Sequence, residues 1–464
     1  MKINANMIKK RLRIDESFDL VCREISILGR KSCLFFVDGF VKDEVMEKII
    51  EFFYSVEDER YMQNSESFIK NCVPYVEVTS SDDIEEICTF VLSGMLVLEI
   101  EDFDKVIAID VRTYPQRDDA VAENDKVLRG SADAFVETLI LNTALLRRRI
   151  RSCDLTVKYF NVGSVSKTDI AVCYMEGKVD KNLLNKLISK LKNIHTDALT
   201  MNQQSLMELL YHYKWYNPFP KVKYSERPDT AAASVVEGGI VVLVDNAPSA
   251  IIFPTSIFDL LEEADDYYFP PLTGTYIRLS RYVISIATLL ITPIWLLFLQ
   301  NPDIVPEALK FTINVSGPMN VPVVWQLLIL EFVIDGMRLA SLNTPNAITT
   351  SLSFIGAVVL SDFAVSSGWF CAESMLYMAF VALANYSQPS VELGYSIKFL
   401  RIMILILTAI FNLFGFIIGI LVALVLAISN KTISEKSYFY PLIPFDRKVF
   451  VKKIFRTRAL DNVN

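Results

Sequence analysis

The stretch LILEFVIDGMRLASLNTP, residues 328 to 345, is apolar enough for a lipid bilayer and yet carries three charged side chains. Glu331, Asp335 and Arg338 follow one another at spacings of four and three residues, which places them on one face of a helix. Ionisable residues inside a spanning segment are costly, so they usually face the protein interior or water. The stretch therefore predicts a membrane helix with a charged inner face, which is a candidate functional site.

Composition divides the chain into two parts. The 464 residues are 52% apolar with a mean hydropathy of +0.34, which is more than soluble proteins usually show. Long uncharged runs cause this excess, and they appear only after residue 275. We therefore expect an α/β cytosolic region of two small subdomains, followed by an α-helical polytopic membrane domain.

The cytosolic region is expected to form two subdomains, residues 1–125 and 126–270. Each has short apolar runs typical of strands and amphipathic runs with helical spacing. Asp82 or Asp83 precedes one helical run and suits its N-cap. The helical runs are 42–56, 82–94, 132–151 and 180–194, and the strand runs are 31–41, two within 95–112, 155–162, 167–177, 238–245 and 249–255.

Catalytic and metal-binding patterns are missing from the sequence of this region. It has no phosphate loop and no GxGxxG, GxSxG or HExxH motif. Six of the seven cysteines are scattered through it without a CxxC pair, and the two histidines lack a second ligand at metal-binding spacing. We expect reduced thiols and no enzyme activity, cofactor, metal or nucleic-acid partner.

The densest charge cluster of the region is a run of arginines at the end of a predicted helix. It consists of Arg147, Arg148, Arg149 and Arg151. Because cations suit the negative end of a helix dipole, one interpretation is a solvated cationic helix end. The other is a docking patch for a neighbouring subunit or for anionic headgroups.

The membrane domain is predicted over residues 271–430 with five to six helical segments. The candidate helices are 282–302, 322–340, 347–365, 370–386 and the long run that begins at 402. That run, Ile402 to Asn430, has 29 uncharged residues. As one helix it would be about 43 Å long, against a bilayer core of about 30 Å. It must therefore cross twice or re-enter, with Asn412 to Gly415 as the best turn.

Basic residues set the expected orientation. The first nineteen residues have basic side chains but no apolar core, so neither a signal peptide nor an anchor is predicted there. Residues 431–464 form a basic tail with eight basic and three acidic residues, a net +5. The positive-inside rule places this tail, Arg278 and Arg281 on the cytoplasmic side. It places Lys398 and Arg401 there too, so the number of crossings should be even.

The third predicted helix offers the best pore wall. Its small and polar residues share one face, which ends in an apolar constriction just before an acid. Close helix packing is the ordinary explanation of such a face, and a pore that gates by dewetting is the functional one. The pore-lining or gate candidates are Thr349, Ser353, Gly356, Val359, Leu360 and Asp362.

The charges of the second predicted helix also have two interpretations. A buried ion pair between Asp335 and Arg338 would fix this helix to its neighbours. Alternatively, Glu331 and Asp335 would face ions in a vestibule. Glu373, in the fourth predicted helix, is a further intramembrane acid with no base close in sequence.

Several motifs in one order resemble the A subunits of spore germinant receptors. Within that family, the LRRRIR and SKTD…CYMEGKVD runs are similar to the branch of the stage V sporulation AF proteins. Ser131 and Ala132 depart from the family, which commonly has Pro and a basic residue there. The motifs are RGSADAFVETLILNTALLRRRI, VGSVSKTDIAVCYMEG, SERPD, EGGIVVLVDNAPSAIIFPTS, PIWLLFLQNPDIVPEALKF and MRLASLNTP.

The resemblance implies a multi-pass protein of the spore inner membrane, with the N-terminal domain and the tail in the cytoplasm. It implies a homo-oligomeric, pentameric channel that takes part in ion release during germination. The implied partners are the lipid bilayer, another small membrane protein and germinant receptor subunits. A non-conducting scaffold or modulator of the receptors is the main alternative, and an enzyme or coupled transporter is a third.

Overall fold

The computed structural model describes residues 2–114, 125, 127–211, 214–315, 320–343, 362–430, 432–434 and 437–456. Two compact units are present. The first comprises residues 1–213 and 222–254, and the second comprises residues 214–221 and 255–464. The first holds two α/β subdomains and the second is helical, so the predicted fold class is confirmed. The exact borders at residues 125 and 270 stay predictions.

The first subdomain is a five-stranded antiparallel sheet with helices on both faces. Strand β4 (Leu96–Ile100) shows why both faces are covered: Leu96 and Leu98 pack with the cluster around Phe53, whereas Val97 packs with the cluster around Ile87. Alternate strand residues point to opposite faces, so a strand with apolar side chains on both faces needs cover on each side. The elements are α1 (Ala5–Leu12), β1 (Leu20–Ile27), β2 (Arg30–Val37), α2 (Asp43–Tyr54), α3 (Ser65–Cys72), β3 (Val78–Ser81), α4 (Ile84–Leu92), β4 (Leu96–Ile100) and β5 (Val106–Ile109).

The second subdomain repeats the topology of the first. Its sheet has the order β6-β7-β9-β10-β8, and the first has the order β1-β2-β4-β5-β3. Adding five to each strand number converts one order into the other, so the two sheets are topological repeats. The elements are α5 (Leu139–Arg149), β6 (Leu155–Val162), β7 (Thr168–Met175), α6 (Lys181–Lys192), α7 (Asn202–Leu210), β8 (Lys223–Ser225), α8 (Pro228–Val236), β9 (Ile240–Val244) and β10 (Ala250–Phe253).

The second unit is built from helices around two apolar cores. Among the described residues, two of these helices are long and apolar enough to cross a membrane, α11 and α15. Short 3-10 turns, Pro302–Ile304 and Glu307–Ile313, follow α11. The helices are α9 (Ile257–Leu260), α10 (Asp265–Tyr268), α11 (Pro271–Gln300), α12 (Val323–Asn343), α13 (Asp362–Ser366), α14 (Ala372–Tyr386), α15 (Val391–Ile428) and α16 (Arg447–Ile454).

Helix α15 folds back on itself at Asn412, inside the turn predicted from the sequence. Asn412 has φ 54° and ψ −133°, which is not helical. A Cβ on Gly419 would lie 3.1 Å from the Cα of Ile404, although residues that far apart on a straight helix are about 22 Å from each other. The same substitution at Gly415 would overlap the carbonyl oxygen of Leu407. Glycines therefore let the two arms of a helical hairpin touch.

The other predicted membrane helices agree in position where the structure describes them. The second, expected at 322–340, is α12, and the fourth, expected at 370–386, is α14. The first begins earlier than predicted, at Pro271. The third, expected at 347–365, lies outside the described residues except for its C-terminal part in α13.

Candidate functional site: buried charges in the helical unit

Two helices bring the acids of the opening stretch together with two basic residues. Glu331 and Asp335 are four residues apart on α12, and Lys398 and Arg401 are three apart on the first arm of α15. Both spacings keep the side chains on one face of their helix. The two faces meet as ion pairs, and we call these four residues the interhelical charge cluster.

Glu331 lies at the centre of this cluster. Arg401 contacts its Oε1 through Nη2 at 2.5 Å and through Nε at 2.7 Å. Lys398 Nζ lies 3.5 Å from the Oε2 of Glu331 and also pairs with Asp335. The side chains of Glu331, Lys398 and Arg401 are at most 7% exposed, whereas that of Asp335 is 36% exposed. Asp335 therefore marks the open side of the cluster.

A third helix completes the cluster. Arg401 donates through Nη1 to the carbonyl oxygen of Thr288, on α11, at 3.1 Å. The side-chain hydroxyl of Thr288 is also hydrogen-bonded, because it donates to the carbonyl oxygen of Ile284 at 2.7 Å. Removing one partner from such a buried pair would leave an uncompensated charge. The cluster therefore fixes α11, α12 and α15 to one another.

Arg338 has different neighbours from those expected. Its guanidinium lies over the rings of Tyr386 and Tyr395, 5.7 and 5.0 Å from their centroids. Cation–π contacts of this kind are favourable at short range. The interpretation of a buried pair between Asp335 and Arg338 gains no support among the described residues, where Asp335 pairs with Lys398. Pairing along one helix is replaced by pairing between helices.

Glu373 occupies the first turn of α14, where an acid suits the positive end of the helix dipole. Gln326 joins this helix to α12: its Oε1 accepts from the Ser374 hydroxyl at 2.8 Å and from the Cys371 N–H at 2.9 Å. The start of α14 is thus tied to the helix that carries Glu331.

The pore candidates cannot be placed. Thr349, Ser353, Gly356, Val359 and Leu360 lie outside the described residues. Asp362 begins α13, but its side chain lies outside the described part as well.

A second charge cluster, which the sequence analysis missed, lies where α11 begins. Arg278 and Arg281 share the fully buried Asp266 at 3.2 and 3.1 Å. Arg281 also pairs with Glu263 at 2.5 Å, and Arg278 with Glu262 at 3.2 Å. The signal for this cluster was the acidic run at 262–266, which lies on the N-terminal side of the two arginines, twelve residues before Arg278.

The tail helix α16 is attached to this second cluster. Lys453 pairs with Asp259 at 2.6 Å and with Glu262 at 2.7 Å. Arg278 donates to the carbonyl oxygens of Lys452 and Lys453 at 3.0 and 3.2 Å. Burial lowers the pKa of Lys453, but Asp259 and Glu262 outweigh this effect and raise it well above its ordinary value. The tail is therefore held beside the start of α11.

Four of the bases used to predict orientation are thus engaged in ion pairs. Arg278, Arg281, Lys398 and Arg401 are all buried. The interpretation of these four bases as loop charges was therefore wrong. The positive-inside rule applies to bases in loops and not to bases paired with acids inside a helix bundle.

Arg147 in the first unit is also buried, so the interpretation as a solvated helix end does not describe it. Its Nε lies 2.6 Å from Asp19 Oδ2, and its other nitrogens donate to the carbonyl oxygens of Ser152 and Leu155 at 3.0 Å. The Ser17 hydroxyl donates to Asp19 at 2.8 Å. Arg147 thus links the chain before β1 to the chain around β6.

The remaining arginines of the cluster lie nearer the surface. Arg149 pairs with Asp133 at 3.0 Å and donates to the Ser131 hydroxyl at 2.9 Å. Arg151 donates to the Tyr114 hydroxyl at 3.2 Å, and the Arg148 guanidinium lies 4.9 Å from the centroid of the same ring. Their contact with a neighbouring subunit stays a prediction.

Comparison with known proteins supports the resemblance read from the motifs. The profile of the family described as Bacillus/Clostridium GerA spore germination protein matches residues 6–462. Stage V sporulation protein AF of Bacillus subtilis (strain 168) is 34% identical over 458 residues, covering 98% of this chain and 92% of that protein. Spore germination protein A1 of the same organism is 29% identical over 354 residues, covering 76% and 73%.

The solved structure of the N-terminal domain of the A subunit of the Bacillus megaterium spore germinant receptor GerK3 is also similar. It is 22% identical, has a TM-score of 0.40, and covers 54% of this chain and 92% of that chain. The family profile spans nearly the whole sequence. The chain therefore belongs to the GerA family of spore germination proteins.

Proposed function

We propose that this protein is a membrane subunit of a homo-oligomeric ion channel that takes part in ion release during spore germination. The observation that carries the proposal is the exposed acid of the interhelical charge cluster. Asp335 keeps 36% of its side chain exposed, next to three buried charges. A carboxylate at membrane depth faces water or protein rather than lipid. The open side therefore suits a water-filled path or a contact with another copy.

The depth of the cluster follows from its bond to α11. Thr288 is twelve residues before Gln300, the last residue of that helix. Twelve residues of helix are about 18 Å long, so the cluster would lie inside a bilayer core of about 30 Å, nearer the side where α11 begins. Apolar side chains are exposed around it on α11, including Val283 and Ile286. Charges at this depth favour a path for ions over a simple anchor.

The helical hairpin supports an even number of crossings. Its tip, Asn412, bonds to Asn301 at the end of α11, while Ser396 in the first arm and Leu426 in the second bond to residues 217–220. If α11 spans the bilayer, the first arm crosses with it and the second arm returns. The tail would then lie on the side where α11 begins, which we assign to the cytoplasm of the spore inner membrane.

Several chains would surround the pore, because one chain contributes one copy of each polar face. We propose a pentamer with residues 347–365 as the pore wall, Val359 and Leu360 as its constriction and Asp362 beside it. Arg148, Arg149 and Arg151 are candidate subunit contacts. Another small membrane protein and germinant receptor subunits are the proposed partners, and no enzymatic activity is proposed.

One observation favours the alternative of a non-conducting scaffold. The interhelical charge cluster balances two acids with two bases, and three of the four side chains are buried. A neutral, closed cluster can serve helix packing alone. The two functions differ in ion flux, since only a channel makes liposomes leaky.

The test is ion efflux from liposomes that contain the purified full-length protein. Asp335→Asn removes the exposed charge while keeping the size of the side chain. Glu307→Gln is the matched control, because that acid is 93% exposed in a 3-10 turn after α11. We expect efflux from the native protein, a several-fold change with Asp335→Asn and no change with Glu307→Gln. An assembled native protein without efflux would support the scaffold.

A further inference from the structure

Residues 214–221 are fixed to the open ends of the helical hairpin. The Asn217 amide donates to the carbonyl oxygen of Leu426 at 3.0 Å, and the Ser396 hydroxyl donates to that of Pro218 at 2.6 Å. Asn430 donates to the carbonyl oxygen of Pro220 at 3.2 Å. This segment therefore lies at the level where both arms of the hairpin leave the apolar layer.

Two aromatic side chains project from this segment. Trp215 is 95% exposed and Tyr216 is 49% exposed, with the rings 6.0 Å apart. Two residues further on, Asn217 bonds to the last turns of the second arm, where Val425 and Ile428 are also exposed. If those apolar side chains face lipid, Trp215 lies within a few residues of the bilayer surface. Trp and Tyr are enriched at that depth because their rings are amphipathic.

The segment around α16 has the same character and adds positive charge. Ile443 and Phe445 are 50% and 65% exposed just before the helix. Arg447, Lys448 and Lys452 are exposed along it. Apolar residues beside several basic ones are the pattern of segments that lie in the plane of an anionic membrane surface.

The position of α16 is set by the base of α11. Tyr282 donates to the carbonyl oxygen of Lys453 at 3.0 Å, and the backbone N–H of Arg456 donates to the Thr275 hydroxyl at 3.1 Å. Leu272 and Tyr276, on the same stretch of α11, are 84% and 70% exposed. The segment is thus held where α11 would enter the bilayer.

We infer that these two segments form a membrane-surface rim that binds anionic phospholipid headgroups. Trp215, Tyr216, Ile443 and Phe445 insert between headgroups, and Lys448 and Lys452 bind their phosphates. The inference rests on the membrane placement within the proposed function but not on ion conduction. The experiments that test it therefore measure contact with lipid and not ion flux.

The first measurement is quenching of tryptophan emission by brominated lipids in vesicles that hold the full-length protein. The emission of Trp215 alone is the difference between the native protein and Trp215→Phe. We expect this substitution to leave the fold intact, because the ring is 95% exposed. Bromine on the upper acyl carbons should quench Trp215 about twice as strongly as bromine on the lower carbons. Quenching of Trp215 by aqueous iodide and by neither lipid would overturn the rim.

The other tryptophans separate the two possible failures. Trp325 and Trp369 are 60% and 58% exposed on the helical unit. If these are quenched by brominated lipid and Trp215 is not, the protein is inserted and only the rim is wrong. If no tryptophan is quenched, the membrane placement fails together with the rim.

The second measurement tests the headgroup charge. Phe445→Trp is introduced beside Trp215→Phe, and equal small amounts of brominated phosphatidylglycerol or phosphatidylcholine are compared at low salt. We expect about threefold stronger quenching by the anionic lipid, lost with Lys448→Gln/Lys452→Gln. Lys310→Gln, which removes an exposed cation beyond the other end of α11, should keep the difference. Equal quenching by both lipids would exclude anionic selectivity, and no quenching would point to a protein partner at this surface.

Discussion

Asn412 and Asn301 bond to each other through their side-chain amides at the tip of the helical hairpin. Asn412 Nδ2 donates to Asn301 Oδ1 at 3.1 Å, and Asn301 donates back to Asn412 Oδ1. Asn301 is the C-cap of α11, directly after its last residue. The pair holds the turn of the hairpin level with the end of the first long helix.

This turn should respond differently to glycine and to alanine. Asn412 has a positive φ that costs an ordinary residue about 1–3 kcal/mol. Asn412→Gly loses the amide bonds but relieves the backbone, whereas Asn412→Ala loses the bonds and keeps the strain. Thermal unfolding in detergent should therefore show Ala as the less stable variant by about 1 kcal/mol or more. Equal stability of the two variants would contradict a strained turn.

The hairpin also predicts which residues are accessible from each side of the membrane. A cysteine at Leu413, beside the tip, should react with a membrane-impermeant maleimide from the same side as a cysteine at Lys310. A cysteine at Lys448 should react from the opposite side. Six of the seven native cysteines are buried, which keeps the background reaction low.

The labelling distinguishes two crossings from a re-entrant loop. A re-entrant hairpin would leave Leu413→Cys unreactive from the side of Lys310. Reaction of Lys310→Cys and Lys448→Cys from one side would contradict an even number of crossings around α11.

Breaking the Arg147–Asp19 pair should destabilise the first unit. Both side chains are fully buried, so Arg147→Met leaves the Asp19 charge without a partner. The expected loss in the free energy of unfolding is about 3–5 kcal/mol. Arg149→Ala removes a partly exposed pair two residues away and should cost about 1 kcal/mol or less. Urea unfolding of residues 1–254 measures both, and equal effects would argue against the buried pair.

Glu99 should make the stability of the first unit depend on pH. Burial raises the pKa of its carboxyl above the ordinary value, and Glu101 adds to the rise. The folded state therefore binds the proton more tightly than the unfolded chain. Stability should fall as the pH rises from about 4.5 through the raised pKa.

Glu99→Gln removes the titrating carboxyl but keeps a side-chain oxygen that can accept the hydrogen bond from the backbone of Ala5. The variant should be at least as stable as the native protein at pH 7 and should lose this part of the pH dependence. Urea unfolding between pH 4 and 8 is the measurement. A native protein whose stability rises with pH over this interval would show that Glu99 is not the dominant group.

Local patterns predicted much of the fold because they depend on neighbours in sequence. The strand at 155–162 and the hairpin turn at Asn412 agree with the structure, and Asp83 rather than Asp82 caps α4. Strand β8, only three residues long, carries too few residues for a recognisable alternation and was missed.

The partners of the charges could not be predicted in the same way. Lys398 is 63 positions from Asp335, and Arg147 is 128 positions from Asp19. Such pairs form because the fold brings distant helices or strands together, and no spacing in the sequence encodes them. In the sequence, a basic residue near a helix end therefore cannot be distinguished from a loop charge. Only the structure shows the acid with which it pairs.

The central claim is ion conduction, and single-channel recording of the purified protein in planar bilayers tests it most directly. The native protein should give discrete conductance steps. Leu360→Ala should raise the step amplitude about twofold or more, because a wider apolar ring holds water more easily. Leu421→Ala, on an exposed face of the hairpin, is the matched control and should leave the amplitude unchanged. An assembled, folded protein that gives no steps, in either the native form or Leu360→Ala, would contradict the channel.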